Sequence, residues 1–193
     1  MGIEFELKFR ATETQLAEVA KSLTGTVCEY EMQTTYYDTP SGALSGRFYT
    51  LRRRLENDCS VCTLKYPADE IGRGEVEVQC QDIHEALPEL CRLSGIADMP
   101  SILKEGIVAI CGASFHRTAV TVTQPDCTVE VALDKGILFG GGKEIPLGEV
   151  EVEQKDGSRE AVFAYAVRLA HAHGLVLERG SKFRRALALA RGE

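Results

Sequence analysis

Four stretches of this chain, "GIEFELKF", "RGEVEVQ", "TVEVALD" and "GEVEVEQ", place ionisable residues at alternate positions with apolar residues between. In an extended strand successive side chains point to opposite faces, so each stretch has one charged face and one apolar face. Glu4, Glu6 and Lys8 alternate with Phe5, Leu7 and Phe9. Glu75 and Glu77 alternate with Val76 and Val78. Glu130 and Asp134 lie opposite Val129, Val131 and Leu133, and Glu149, Glu151 and Glu153 alternate with Val150 and Val152. Basic residues sit in other strands: Arg52 and Arg54 share a face of "LRRRLE", "TLK" contributes Lys65, and "FHRTA" contributes Arg117.

The rest of the chain gives this pattern a frame. A first strand is expected over residues 2–10. "ATETQLAEVAKSL" follows with apolar residues at helical spacing and Thr12 or Thr14 as cap. "TVCEYEMQTTYYDTP" reads as a long strand ending at Pro40. "RFYTLRRRLE", "SVCTLKYP" and "GEVEVQCQ" read as short strands between turn residues. Residues 82–111 read as helical. "SFHRTAVTVTQP", "CTVEVALDKGILF" and "KEIPLGEVEVEQK" give three more strands, then "DGSREAVFAYAVRLAHAHG" a Ser-capped helix and "SKFRRALALARG" a last one. "SGALSGR" and "FGGGK" are expected as turns. Hairpin-length connections imply antiparallel pairing, and closure would remove the exposed edges of about eight strands. The expected fold is therefore α+β: a closed eight-stranded antiparallel β-barrel, or tunnel, with helices packed outside, in one domain spanning 1–193.

An antiparallel sheet with one solvated face also shows such alternation. Three features favour a charged interior instead. Like charges are sorted by strand, whereas a solvated face mixes signs. Carboxylates at i and i+2 repel unless cations lie opposite. The helices can cover the apolar face from outside, which turns the charged face inward. Clustered carboxylates bind hard divalent cations such as Mg²⁺ or Mn²⁺, and Arg and Lys bind phosphate oxygens. Together they suit a metal-chelated polyphosphate. This reconciles an anionic ligand with a net charge of −7, which argues against general nucleic-acid binding.

Composition narrows the class further. With 44% hydrophobic and 26% charged residues the chain reads as globular. No apolar run approaches the ~20 residues that span a bilayer, and an acidic start in place of a basic and apolar leader argues against secretion. Seven irregularly spaced Cys suit a reducing cytoplasm. Cys59 and Cys62 form a C-x-x-C without the second pair that a zinc site wants. His171 and His173 do not share a helix face, and His116 alternates away from Arg117.

The motifs, in order, resemble the CYTH superfamily of triphosphate tunnel metalloenzymes. "EFELK" resembles its E-x-E-x-K signature. "YYDTP", the R-x-R of "RRR", "TLK", "GEVEV", "HR", "VEVALDKG", "GEVEVE" and "SKFRRA" follow over nearly the whole chain. Arg53 stands where relatives often carry an apolar residue, but alternation turns it away from Arg52 and Arg54. The resemblance implies that Glu4, Glu6, Glu149 and Glu151 hold metal, with Glu153, Glu130 and Asp134 nearby. Lys8, Arg52, Arg54, Lys65, Arg117, Lys182 and Arg185 would bind phosphate, and Glu75 and Glu77 would be further tunnel acids. Glu6 and Glu151, as ligands, and Lys65, acting on the leaving group or water, would carry catalysis. The implied activity is metal-dependent hydrolysis of inorganic triphosphate. Thiamine or nucleoside triphosphate hydrolysis and class IV adenylyl cyclase chemistry are the alternatives on the same fold, and a polyphosphate-binding module without turnover is a further one. Few aromatics and no Trp favour a substrate without an organic ring. The expected partner is the small-molecule triphosphate, with no membrane, and an exposed apolar helix face allows a homodimer. Some similar triphosphatases carry a helical CHAD domain after the tunnel, and this chain is expected to end before one.

Overall fold

The computed structural model describes residues 5–68 and 72–193. Nine strands and five α-helices follow one another as β1 (Glu6–Arg10), α1 (Glu13–Ser22), β2 (Thr26–Asp38), β3 (Thr50–Glu56), β4 (Cys59–Ala68), β5 (Gly72–Gln79), α2 (Ile83–Ser94), α3 (Met99–Ile102), β6 (Val108–Thr123), β7 (Cys127–Gly140), β8 (Lys143–Gly157), α4 (Arg159–His173), β9 (Val176–Leu177) and α5 (Lys182–Arg191). The hydrogen-bonded order is β5-β4-β3-β2-β6-β7-β8-β1-β9. The pairings of β1 with β8 and β9, and of β2, β3, β4 and β5 in succession, are antiparallel. The α+β class and the large antiparallel sheet are as expected from the sequence.

Two expectations need correction. The sheet has nine strands rather than eight, and β5 and β9 end its order without pairing to each other, so a closed ring is not formed among the described residues. Two-residue β9 was missed because so short a run carries no periodicity. The helical reading of 82–111 also overruns: α3 stops at Ile102, a 3₁₀ turn covers Leu103–Glu105, and β6 starts at Val108. Gly106 at φ 78° breaks the helix. Apolar residues on both sides of that glycine had mimicked helical spacing.

Local chemistry explains the remaining boundaries. Thr12 caps α1 in a capping box with Gln15. Ser158 caps α4 by accepting the Ala161 N–H, and Gly174 ends it in the left-handed region at φ 61°. Asn57 at φ 52° turns β3 into β4, and Gly141 and Gly142, at φ 59° and 72°, turn β7 into β8.

The chain divides into two compact units. The first comprises Met1–Glu31, Phe115–Ile137 and Ile145–Ser181, and the second Met32–Ser114, Leu138–Glu144 and Lys182–Glu193. Each has its own core. In the first, Phe9, Val129, Val131, Leu133, Val150 and Val152 pack with Leu16 and Val19 of α1 and Val162, Ala166 and Leu169 of α4. In the second, Leu51, Cys62 and Leu64 pack with Ile83, Ala86 and Leu90 of α2 and Met99 and Ile102 of α3. In both units the helices cover the apolar side of the alternating strands. The charged side of those strands is therefore turned away from the helices that form the cores.

Burial also sets an alkaline limit. Burial, then the neighbouring Cys80, pushes the Cys62 thiol from 9.0 up to about 11. Burial pushes the Cys111 thiol up to about 12, with Arg191 opposing and Asp38 adding. Unfolded thiols ionise near pH 9 and these do not, so their contribution is whole below pH 9 and is lost as pH climbs toward 11–12. Urea unfolding should show stability falling by about 2 kcal/mol or more between pH 9 and 11, and falling less steeply in Cys62→Ala. An unchanged slope in that variant would show the thiol irrelevant.

Candidate functional site

In the first unit, alternation and register bring three acids together. β1 pairs with β8 so that Lys8 lies opposite Glu151 and Arg10 opposite Glu149. On the same face of β8 and on β7, carboxylate oxygens of Asp134, Glu149 and Glu151 all come within 4.8 Å of one another. Asp134 and Glu149 are 0% exposed. Three carboxylates at this depth repel strongly unless cations lie among them.

Arg117 on β6 supplies one such cation. Its Nε and Nη2 donate to the two Asp134 oxygens at 2.7 Å each, and Nη2 also donates to Glu151 at 2.5 Å. Burial works against the Arg117 charge, but Asp134 and Glu151 outweigh it and raise its pKa above the ordinary guanidinium value. Nη1 makes none of these bonds. Lys8 lies 3.7 Å from Glu151 and 2.7 Å from Glu6. The donors are all carboxylate oxygens, the set preferred by hard divalent ions. Three carboxylate oxygen donors within 4.8 Å of one another, with Arg117 and Lys8 beside them, form a set that fits a divalent cation.

In the second unit Arg52, Arg54 and Lys65 stand among Glu56, Glu75 and Glu77, with Arg54 paired to Glu56 at 3.0 Å. Register places Arg52 opposite Thr63, Arg54 opposite Val61 and Lys65 opposite Thr50, while Thr63 and Lys65 face Glu77 and Glu75. Lys65 pairs with Glu75 at 2.8 Å. Among the described residues Arg52 has only longer ion pairs, 3.7 Å to Glu75 and 3.8 Å to Glu77, although its side chain is 11% exposed. The buried Nε atoms of Arg52 and Arg54 have no hydrogen-bond partner among the described residues. Burial, then repulsion from Arg54, lowers the Arg52 pKa, with Tyr36, Glu75 and Glu77 opposing. Two adjacent guanidiniums with unsatisfied buried donors form an environment that favours a multivalent anion.

Lys182 and Arg185 lie in the first turn of α5, three residues apart and so on one face. Phe183 of that turn packs on Tyr36, with ring centroids 5.0 Å apart.

The structure sorts the residues singled out in the sequence. Asp134, Glu149 and Glu151 converge, with Arg117 bound among them. Glu6 is held by Lys8 outside that convergence. Glu130 and Glu153 share Lys155 at 3.5 and 3.0 Å. Glu75 and Glu77 serve as counter-ions of Lys65 and Arg52. Arg53 points away from Arg52, as expected, and donates to Ser60. His116 bonds Glu31, and Cys59 is exposed while Cys62 is buried, so their C-x-x-C forms no joint site. Glu4 lies outside the described residues.

Three residues escaped the sequence reading. Buried Asp38 accepts the N–H groups of Thr39, Leu44 and Ser45, fixing the turn before β3. Its signals were the "DTPSG" turn chemistry and its place in the "YYDTP" motif. Thr63 donates to Glu77 at 2.9 Å and shares the face of Lys65. Lys155 continues the alternation of β8 by one step beyond Glu153 and could have been found that way.

A model of the CYTH domain family matches residues 2–187. An inorganic triphosphatase of Haemophilus influenzae is 26% identical over 192 residues, covering 96% of this chain and 54% of the relative. The chain thus spans about half the length of that curated relative. Among solved structures, the Hippeastrum protein HpAC1, described as an adenylyl cyclase candidate with a dominant triphosphatase activity, matches with TM-score 0.71 and 19% identity over 100% of this chain and 96% of that one. The PH1819 protein of Pyrococcus horikoshii matches with TM-score 0.64 and 22% identity over 95% and 98% of the two chains. At such identities these two matches establish the fold. None of the helices among the described residues is long and apolar enough to cross a membrane.

Proposed function

The chain belongs to the CYTH domain family, and from that premise we propose that it hydrolyses inorganic triphosphate to pyrophosphate and phosphate with Mg²⁺ or Mn²⁺. The observation that carries this reading is the buried convergence of Asp134, Glu149 and Glu151. These three acids would hold the cation. When bound, it supplies a Lewis acid for a phosphoryl oxygen and lowers the pKa of a bound water. Arg117 holds Asp134 and Glu151 together through its Nε and Nη2 donors and would add its charge to the phosphate-binding set. Arg52, Arg54, Lys65, Lys8, Lys182 and Arg185 take the role of phosphate-binding bases, which neutralise the charge that builds on the leaving pyrophosphate. Lys65 is the proton donor assigned to that leaving group. Glu75 holds the Lys65 ammonium in place at 2.8 Å.

The inorganic triphosphatase relative supports the substrate. The Hippeastrum neighbour, whose description names both a cyclase and a triphosphatase, makes ATP the comparison that matters. Phosphate release should be followed with tripolyphosphate, ATP and thiamine triphosphate, each with Mg²⁺, Mn²⁺ or EDTA. The expected result is the highest kcat/KM for tripolyphosphate, with no release in EDTA. Release that persists in EDTA, or tight tripolyphosphate binding without turnover, would overturn the reading.

A further inference from the structure

On β7, β8 and β1 the acids of the charged face come in two groups. The first is Asp134, Glu149 and Glu151. The second lies farther along β8. There Glu153 faces Glu6 directly across the strand pair, and two like charges so placed repel. Each of these acids is matched by a lysine two residues on in its own strand. Lys8 Nζ lies 2.7 Å from Glu6, and Lys155 Nζ lies 3.0 Å from Glu153. Lys155 also reaches 3.5 Å to Glu130 on β7. Its side chain is 38% exposed, yet the ammonium sits between two carboxylates from two strands, where a bridging ion would sit.

We propose that Lys155 is a built-in cation: its ammonium fills the place between Glu130 and Glu153, so that this face binds one divalent ion, at Asp134, Glu149 and Glu151, rather than two. The inference rests on the metal reading given above but makes a separate claim. An ammonium is fixed to the chain and needs no free metal. It brings one positive charge where a divalent ion would bring two, and it offers no open coordination position for water. Lys155 is then a positioning residue that holds Glu130 and Glu153 together. Their pairing with Lys155, and not the ligation of a second ion, explains why they stand on this face.

Binding of Mn²⁺ to the substrate-free protein, followed by the loss of the free-ion electron paramagnetic resonance signal, tests the proposal without reference to turnover. Wild type should bind one Mn²⁺ per chain. Lys155→Arg, which keeps the charge, should also bind one. Lys155→Met should bind two, a doubling that a purely structural lysine would not produce, and Lys155→Met with Asp134→Asn should return to one. Two ions in wild type, or one in Lys155→Met, would overturn the inference. No ion in wild type with one in Lys155→Met would remove the Asp134 assignment while leaving the role of Lys155 standing. Far-ultraviolet circular dichroism of each variant confirms that the fold is retained.

Discussion

Asp134→Asn should lose most of the proposed metal-dependent phosphate release and be destabilised by about 3–5 kcal/mol. Asp134 is fully buried and receives two Arg117 bonds of 2.7 Å each. The amide is isosteric, so packing is kept. What changes is charge: Asn turns an NH₂ donor toward one side of a guanidinium that itself only donates and cannot accept, and Arg117 keeps only Glu151 as its charged partner in this group. A buried charge stripped of its main partner is costly to leave in place. The metal-binding group also loses one of its three anionic donors, so affinity for Mn²⁺ should fall by at least the ~10–100-fold typical of lost ligand-supporting contacts. Urea unfolding measures the first effect and Mn²⁺ titration the second. Glu151→Gln separates them, because its side chain is less deeply buried than Asp134. Its activity should vanish with a smaller change in stability. Normal phosphate release by both variants would remove the acid group from catalysis.

The second large effect has opposite signs for stability and function. Arg52→Met should leave stability unchanged or raise it by about 1–4 kcal/mol, since an apolar side chain of similar length replaces a desolvated charge. Arg52 is nearly buried, repelled by Arg54, and held by ion pairs of 3.7 and 3.8 Å rather than by close hydrogen bonds. Such a residue adds little to folding. On the proposed function its use comes from the ligand, and a charge-assisted bond to phosphate contributes about 1.5–3 kcal/mol. The KM for tripolyphosphate should therefore rise on the order of 10–100-fold. Thermal unfolding and steady-state kinetics on the same preparation decide the matter. A destabilised variant with unchanged KM would make Arg52 a structural residue.

Much of this was legible in the strands. Period-two alternation fixed which of Glu149, Val150, Glu151 and Val152 share a face, because the pleat allows no other outcome. The caps Thr12 and Ser158 marked helix starts through chemistry that acts within one turn. Gly106 was legible too, but its effect was outvoted by the apolar residues beside it, and β6 began earlier than the pattern suggested. Residue type alone did not separate Asp134 from Glu130. Both stand on the same face of β7, yet one faces Arg117 and two further acids while the other faces Lys155.

The sequence by itself determined the faces. Alternation is local, and it told which side chains are charged together and which are covered by helices. Only the tertiary structure decided the company each charge keeps. Register between β1 and β8, and the approach of β6 and β7, set whether a carboxylate meets a lysine, a guanidinium or other carboxylates. Those pairings join residues far apart in the chain. Coulomb energies depend on separations of a few ångströms and on burial, neither of which is written in the spacing of residues along one strand.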